Sequence, residues 1–246
     1  CVPLDLKDGA DRTPLRLALE EALVPDLPGV EHLGREPLPP GARIGVVDGL
    51  IQAGTDLTRE AAADPQLVTR LLDFGRTEVV LALLERGLPV PNPAEAVYTA
   101  TFRREPQVLA ELLRRGHPCT WTSPRDGDTC LHAAATMNHP DHLDLLLEAG
   151  LPLEALNAHR VTPLLRACRE GAREATERLL ARGANPNHQD LDGWSPLMAA
   201  AEERLAGLVQ LLLKHGAKRG LKNREGATAL TYARKARRKD LMKLLD

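Results

Sequence analysis

Eight histidines and four cysteines are the side chains of this chain best suited to proton transfer, nucleophilic attack or metal binding. Their spacing offers little of that chemistry. Cys1, Cys119, Cys130 and Cys168 form no C-x-x-C pair or other metal-type pattern. His139 and His142 flank Asp141 at the start of a helix and could open a metal site. No third ligand falls where a tetrahedral ion would need it, so the pair is read as ordinary side chains. The chain has no G-x-S-x-G elbow and no phosphate-cradling Walker loop, and no Cys/His pair stands in a nucleophile context. Its carboxylates are spread along solvated faces. No catalytic residue, metal ligand or cofactor is assigned, and enzymatic activity is not expected.

The cysteines read otherwise. Cys130 and Cys168 fall where helices want small apolar residues, which makes them core packing. Cys119 could bridge Cys130, and the spacing does not decide it. The chain opens on Cys1 instead of methionine, which means processing or trimming. A mature bacterial lipoprotein begins on a lipid-modified cysteine, and Cys1 is a candidate for that lipidation. The expected location is then periplasmic; the alternative is cytoplasmic, with Cys1 a product of trimming.

What positions these residues is an internal repeat. Leu83-Leu84-Glu85-Arg86-Gly87 recurs as Leu112 to Gly116, Leu146 to Gly150, Leu179 to Gly183 and Leu212 to Gly216, with a looser copy from Leu50 to Gly54. Successive glycines lie 33, 29, 34, 33 and 33 residues apart. A second phrase keeps phase with it. Thr129-Cys130-Leu131-His132-Ala133-Ala134 returns at Thr162, Ser195 and Thr228, each 33 residues on, with one more copy at Thr13.

Each part has a physical reason. Thr or Ser caps a first helix by accepting from an orphan backbone N–H, and the proline that often follows has no N–H to leave unpaired. Leu and small Ala residues form a face that lets successive helices stack closely. A second helix carries Val and Leu at helical spacing, as in Glu78 to Leu84. Glycine ends that helix in a left-handed turn. Polar stretches such as Asn185 to Gly193 then form an extended finger before the next cap.

The T-P-L-H-x-A phrase, the paired helices and the L-L-x-x-G ending resemble the ankyrin repeat. The resemblance is specific over 126–233 and looser over 66–116, where Gln66 and Glu95 replace the capping threonine. It implies an all-α solenoid of about seven helix-turn-helix repeats with β-hairpin fingers, forming a single domain over 1–246. The repeats fall at 13–54, 66–87, 95–116, 129–150, 162–183 and 195–216, with a cap at 228–246. The first is divergent and carries a long, proline-rich inserted loop at 24–41, which is either functional or a tolerated insertion. The finger between Gly87 and Glu95 is four residues short, where a kink is expected.

In this family, partner contacts concentrate on finger tips and on the exposed end of the first helix. Carried over by offset from each cap, four of the six aromatic residues land there: Phe74, Phe102, Trp121 and Trp194. Tryptophan is a common energetic anchor of interfaces, although rings at these places could instead fill gaps between repeats. Arg125, Asp128, His159, Arg169, Leu191, Asp192, Glu202 and Glu203 occupy the neighbouring positions. His132 takes the family's own structural histidine position.

Composition agrees with such a scaffold. Hydrophobic residues make up 43% and charged residues 27%, ordinary for a soluble globular protein. Aromatics are only 2%, so the core must come from Leu, Ala and Val in thin helical layers. No apolar run approaches the roughly 20 residues of a membrane span, and the sequence shows no secretory signal segment. From Lys214 onward there are 11 Lys/Arg and 3 Asp/Glu, leaving 21 and 31 in the preceding residues. A basic end on an acidic body is either a polar cap or a steering patch for an anionic partner.

The expected function is non-enzymatic protein–protein interaction, the chain being monomeric when free. If Cys1 marks a lipoprotein, the resemblance extends to bacterial immunity proteins that occlude a toxic enzyme. Arginine outnumbers lysine 25 to 7, as in GC-rich bacterial genomes. The alternative is a scaffold, or a binder of nucleic acid or membrane surface through Arg234, Lys235, Arg237, Arg238, Lys239 and Lys243. Only Tyr232 is interleaved with that cluster, so base stacking has little support and nucleic acid is not favoured.

Overall fold

A computed structural model describes residues 56–73 and 76–246. Cys1, the divergent first repeat at 13–54, its inserted loop at 24–41 and Phe74 lie outside the described residues. Among the described residues every regular element is an α-helix. They cluster into two compact units that divide between His117 and Pro118.

The first unit contains α1 (Leu57–Ala63), α2 (Leu67–Asp73), α3 (Thr77–Glu85), α4 (Pro93–Phe102) and α5 (Pro106–Arg114). The sequence reading left the stretch between Gly54 and Gln66 without a helix, and α1 occupies it. Its cause is local: the Asp56 carboxylate accepts from the backbone N–H groups of Thr58 and Arg59, at 2.9 and 3.3 Å. From Gln66 onward the expected pairs appear, α2 with α3 and α4 with α5. First helices pack on first helices (α2 on α4) and second on second (α3 on α5), so the short finger before Pro93 does not interrupt the stack. Gln66 and Glu95, standing at two threonine cap positions, bond each other across repeats at 2.9 Å.

The second unit repeats one pattern four times: α6 (Cys130–Thr136) with α7 (Pro140–Glu148), α8 (Pro163–Arg169) with α9 (Arg173–Ala181), α10 (Pro196–Glu202) with α11 (Ala206–Lys214), and α12 (Ala229–Lys235) with α13 (Lys239–Leu245). The short first helices form one row and the second helices, longer in the first three pairs, another. Such short helices gain little from propensity alone; burial and capping hold them. Leu131, Leu143, Leu146, Leu164, Leu165, Leu179 and Leu212 are almost fully buried, with Ala134, Ala167, Ala200 and Ala233 between the stacked first helices. Cys130 and Cys168 are buried in this core, where burial pushes the Cys168 thiol up to about 12. Cys119 carries a free thiol, so the possible Cys119–Cys130 bridge is not formed.

The caps behave as their chemistry dictates. Thr162 and Ser195 accept from the N–H groups of Leu165 and Met198 at 3.2 and 3.3 Å. In the fourth repeat the Thr129 N–H donates to His132 Nδ1 at 3.2 Å, while Nε2 lies 2.9 Å from the Val161 carbonyl of the next repeat. One buried imidazole thus closes a helix start and ties two repeats together. The last pair, α12 and α13, turns a polar face outward through Thr231, Arg234, Lys235, Lys239 and Lys243.

The fingers are tighter than β-hairpin ladders, and no described residue is in a β-strand. A single backbone bond closes each of the last three, from Asn157, Asp190 and Asn223 N–H to Val161, Trp194 and Ala227 C=O, at 3.2, 3.1 and 3.0 Å. A side chain holds each bend in place of a ladder. The Asn157, Asp190 and Asn223 Oδ1 atoms each accept from the second and fourth N–H groups that follow, at 2.8 to 3.1 Å.

Candidate protein-interaction surface

Successive fingers of the second unit are joined tip to tip. Ala158 donates to the Asp126 carbonyl at 3.0 Å, Leu191 to His159 at 3.1 Å and Arg224 to Asp192 at 2.9 Å. The spacing between side chains on neighbouring tips is therefore set by backbone. His159, Leu191 and Asp192 stand on this edge; all three are exposed, and Leu191 keeps 42% of its surface open to solvent. Asp192 has only a loose contact with Arg224 at 3.7 Å, both side chains being largely solvated. Arg125 is likewise exposed, on the first of these fingers.

Two of the sequence-selected polar residues face inward. Asp128 is buried, bonded by Arg166 at 2.7 Å and by Asn157 Nδ2 at 2.8 Å. Arg166 also reaches Asp126 at 3.3 Å, while its Nε is buried with no partner. Arg169, partly exposed, is held by the buried Asp190 at 2.5 Å. Asp128–Arg166 braces a finger against the following repeat's first helix, and Arg169–Asp190 braces one against the preceding repeat's first helix.

The aromatic residues divide similarly. Phe102 ends α4 in the first unit, 42% exposed and stacked on Tyr98 with centroids 6.5 Å apart. Trp121 is half-buried in the stretch before the first finger of the second unit. Trp194 is half-buried where finger meets α10, its ring 4.7 Å from that of Tyr232 in the next repeat. It both fills a gap between repeats and leaves an edge to solvent.

Near that pair, Glu202 and Arg204 with Tyr232, Lys235 and Ala236 line a shallow cavity of about 300 Å³. Glu203 is exposed beside it. The Tyr232 hydroxyl is taken by Asn223 Nδ2 at 2.8 Å, and Lys235 Nζ lies 5.8 Å from the ring centroid. Burial, then the Glu225 and Glu202 carboxylates, raise the phenol above its ordinary range, so it stays protonated.

Tyr232 is the site residue that the sequence reading passed over. Its signal was available: Ala133, Arg166 and Ala199 hold the same place at 33-residue spacing, and a ring there must protrude toward Trp194. Asn157, Asp190 and Asn223 carried the same 33-residue signal. Among the described residues no group of three His, Cys, Asp or Glu is placed to hold a metal ion. His139 and His142 meet edge to face at 4.8 Å. No helix of the described residues is long and apolar enough to cross a membrane.

Comparison with known proteins agrees with this geometry. The family profile "Ankyrin repeats (3 copies)" matches residues 60–190 and 164–245. The chain belongs to the ankyrin repeat family. Its repeats make it a protein–protein interaction module. Among similar chains, the mouse B-cell lymphoma 3 protein homolog is 32% identical over 152 residues, covering 60% of this chain and 34% of that protein. Human B-cell lymphoma 3 protein is 29% identical over 235 residues, covering 94% and 49%. A stretch of 134 residues is 36% identical to the glycerophosphocholine phosphodiesterase GDE1 of Eremothecium gossypii, covering 53% of this chain and 10% of that protein. The chain thus spans half or less of the length of these relatives.

Proposed function

We propose that this ankyrin chain works by covering a surface of a partner protein with its finger edge and the ends of its first helices. The observation that carries the reading is the backbone-bonded row of finger tips. It presents His159, Leu191 and Asp192 in fixed register beside the half-open Trp194. A rigid edge with one aliphatic and one aromatic anchor suits recognition with little ordering cost.

The more specific form is an inhibitor of immunity type, which occludes a toxic enzyme in the periplasm and is anchored through a lipid on Cys1. Support for it comes from the sequence alone: the acidic balance of the residues before Lys214. Restoration of growth on co-expression with the captured enzyme tests the inhibition. Loss of palmitate labelling in Cys1→Ser tests the anchor.

Affinity capture from native lysate tests the general reading. Wild type is compared with Trp121→Ala/Trp194→Ala and with Leu191→Arg, the second altering a side chain that keeps 42% of its surface open to solvent. One protein retained by wild type and lost by both variants is the expected result. Retention by both variants excludes this edge.

A further inference from the structure

The ends of α10 and α12 stand side by side, and the exposed side chains that close the two helices differ in sign, while the turn residue that follows each, Arg204 or Arg237, is cationic in both. Glu202 and the following Glu203 close α10; Arg234, Lys235 and then Arg237 occupy the same turn of α12. All five are exposed. Among the described residues, Glu202, Glu203, Lys235 and Arg237 make no ion pair, and Arg234 has only a solvated contact with Asp246 at 3.9 Å. Their charges are therefore available to a ligand.

The cavity of about 300 Å³ lies at the point of reversal. Glu202 forms one wall, Arg204 and Lys235 the others, and the Tyr232 ring with Ala236 the apolar floor. Tyr232 is buried, so the floor offers apolar contact only through Ala236 and the small exposed part of the ring. The volume is at the small end for a ligand pocket and suits one side chain.

The mixture of signs selects the kind of ligand. A polyanion, whether a phosphate backbone or an anionic membrane, meets Glu202 and Glu203 within one Debye length of the cations it seeks. A polycation meets the opposite conflict. A polypeptide can change sign along its length and satisfy both. We infer that this edge binds a polypeptide segment whose charges come in two blocks. Cationic residues lie over Glu202 and Glu203, acidic residues over Arg234, Lys235 and Arg237, and one apolar side chain between them rests on Ala236 at the edge of Tyr232. The inference depends on the protein-binding reading above and names the chemistry of the partner at one end of that surface.

Fluorescence anisotropy with the whole chain at physiological salt tests it. The probes are labelled synthetic peptides: lysines then a leucine then glutamates, the same residues in alternating order, all-lysine, all-glutamate, and an oligothymidylate. The block peptide is expected to bind at least about tenfold tighter than every other probe. In Lys235→Glu/Arg237→Glu, folded by circular dichroism, the preference should pass to the all-lysine peptide. Equal binding of block and alternating peptides, a preference for the all-glutamate peptide or the oligothymidylate, no binding at all, or an unchanged preference in the charge-reversed variant would each overturn the inference. If these probes fail while capture still depends on Leu191, the protein-binding reading stands and only the two-block ligand is lost.

Discussion

Arg204 and Arg237 close the turn between paired helices with φ of 61° and 53°, and Asn138 does so at 55°. Gly171 fills the equivalent place with φ 69° and none of the Cβ crowding that disfavours this region. Arg237→Gly should raise stability by about 0.5–1 kcal/mol, read from the urea midpoint at unchanged slope. A lower midpoint would mean that the arginine supports the fold. Arg204→Gly should stabilise similarly, since Arg204 holds the equivalent place. The reverse holds at Gly193, whose φ is 79° and where a Cβ would meet the Asn223 Cα at 2.9 Å. Gly193→Ala should cost about 1–3 kcal/mol in the same assay, since it is the backbone of the next finger that must move.

His132 supplies the pH dependence that belongs to this scale. Burial, opposed in part by the Val161 carbonyl and Asp128 and aided by Arg166, holds its imidazole below the ordinary histidine value of 6.5. The unfolded chain therefore takes up the proton first as pH falls. Stability present above pH 6.5 is lost progressively below it, toward the folded-state value. Melting temperatures between pH 7.5 and 5 should fall in wild type, limits that bracket the histidine range. His132→Leu should melt lower at neutral pH, having lost its bonds to Thr129 and Val161, but its profile should be flatter. Parallel profiles would exclude His132 as the titrating group.

At the scale of the element, helices and fingers are held by different means. The helices follow from apolar spacing, cap and proline, and the sequence placed each pair from Gln66 onward. The helix α1 was missed because its start rests on Asp56, a cap outside the repeat's own threonine pattern. The fingers depend on buried Asx side chains. Asn157→Ala removes two acceptor contacts to backbone and the bond to Asp128, a loss of about 2–4 kcal/mol. Hydrogen exchange should then quicken at the His159 and Val161 amides before it does in α8. Uniform quickening would instead mean that the finger and helix open together.

At the scale of the molecule, each repeat of the second unit buries its faces only against its neighbours, so stability should grade along the stack. Amides of α8 to α11, covered on both sides, should exchange more slowly than those of α12 and α13. Equal protection throughout would mark a unit that opens all at once. The sequence alone determined the family and the burial of Cys130 and Cys168, because these follow from the spacing of the repeat. Tertiary structure decided which selected residues face a partner. It turned Asp128 inward onto Arg166, tied Arg169 to Asp190, and set Trp194 on Tyr232 beside a reversal of charge. Those contacts join residues of neighbouring repeats, and a period gives equivalent positions but not the distances and partners of the side chains that meet between repeats.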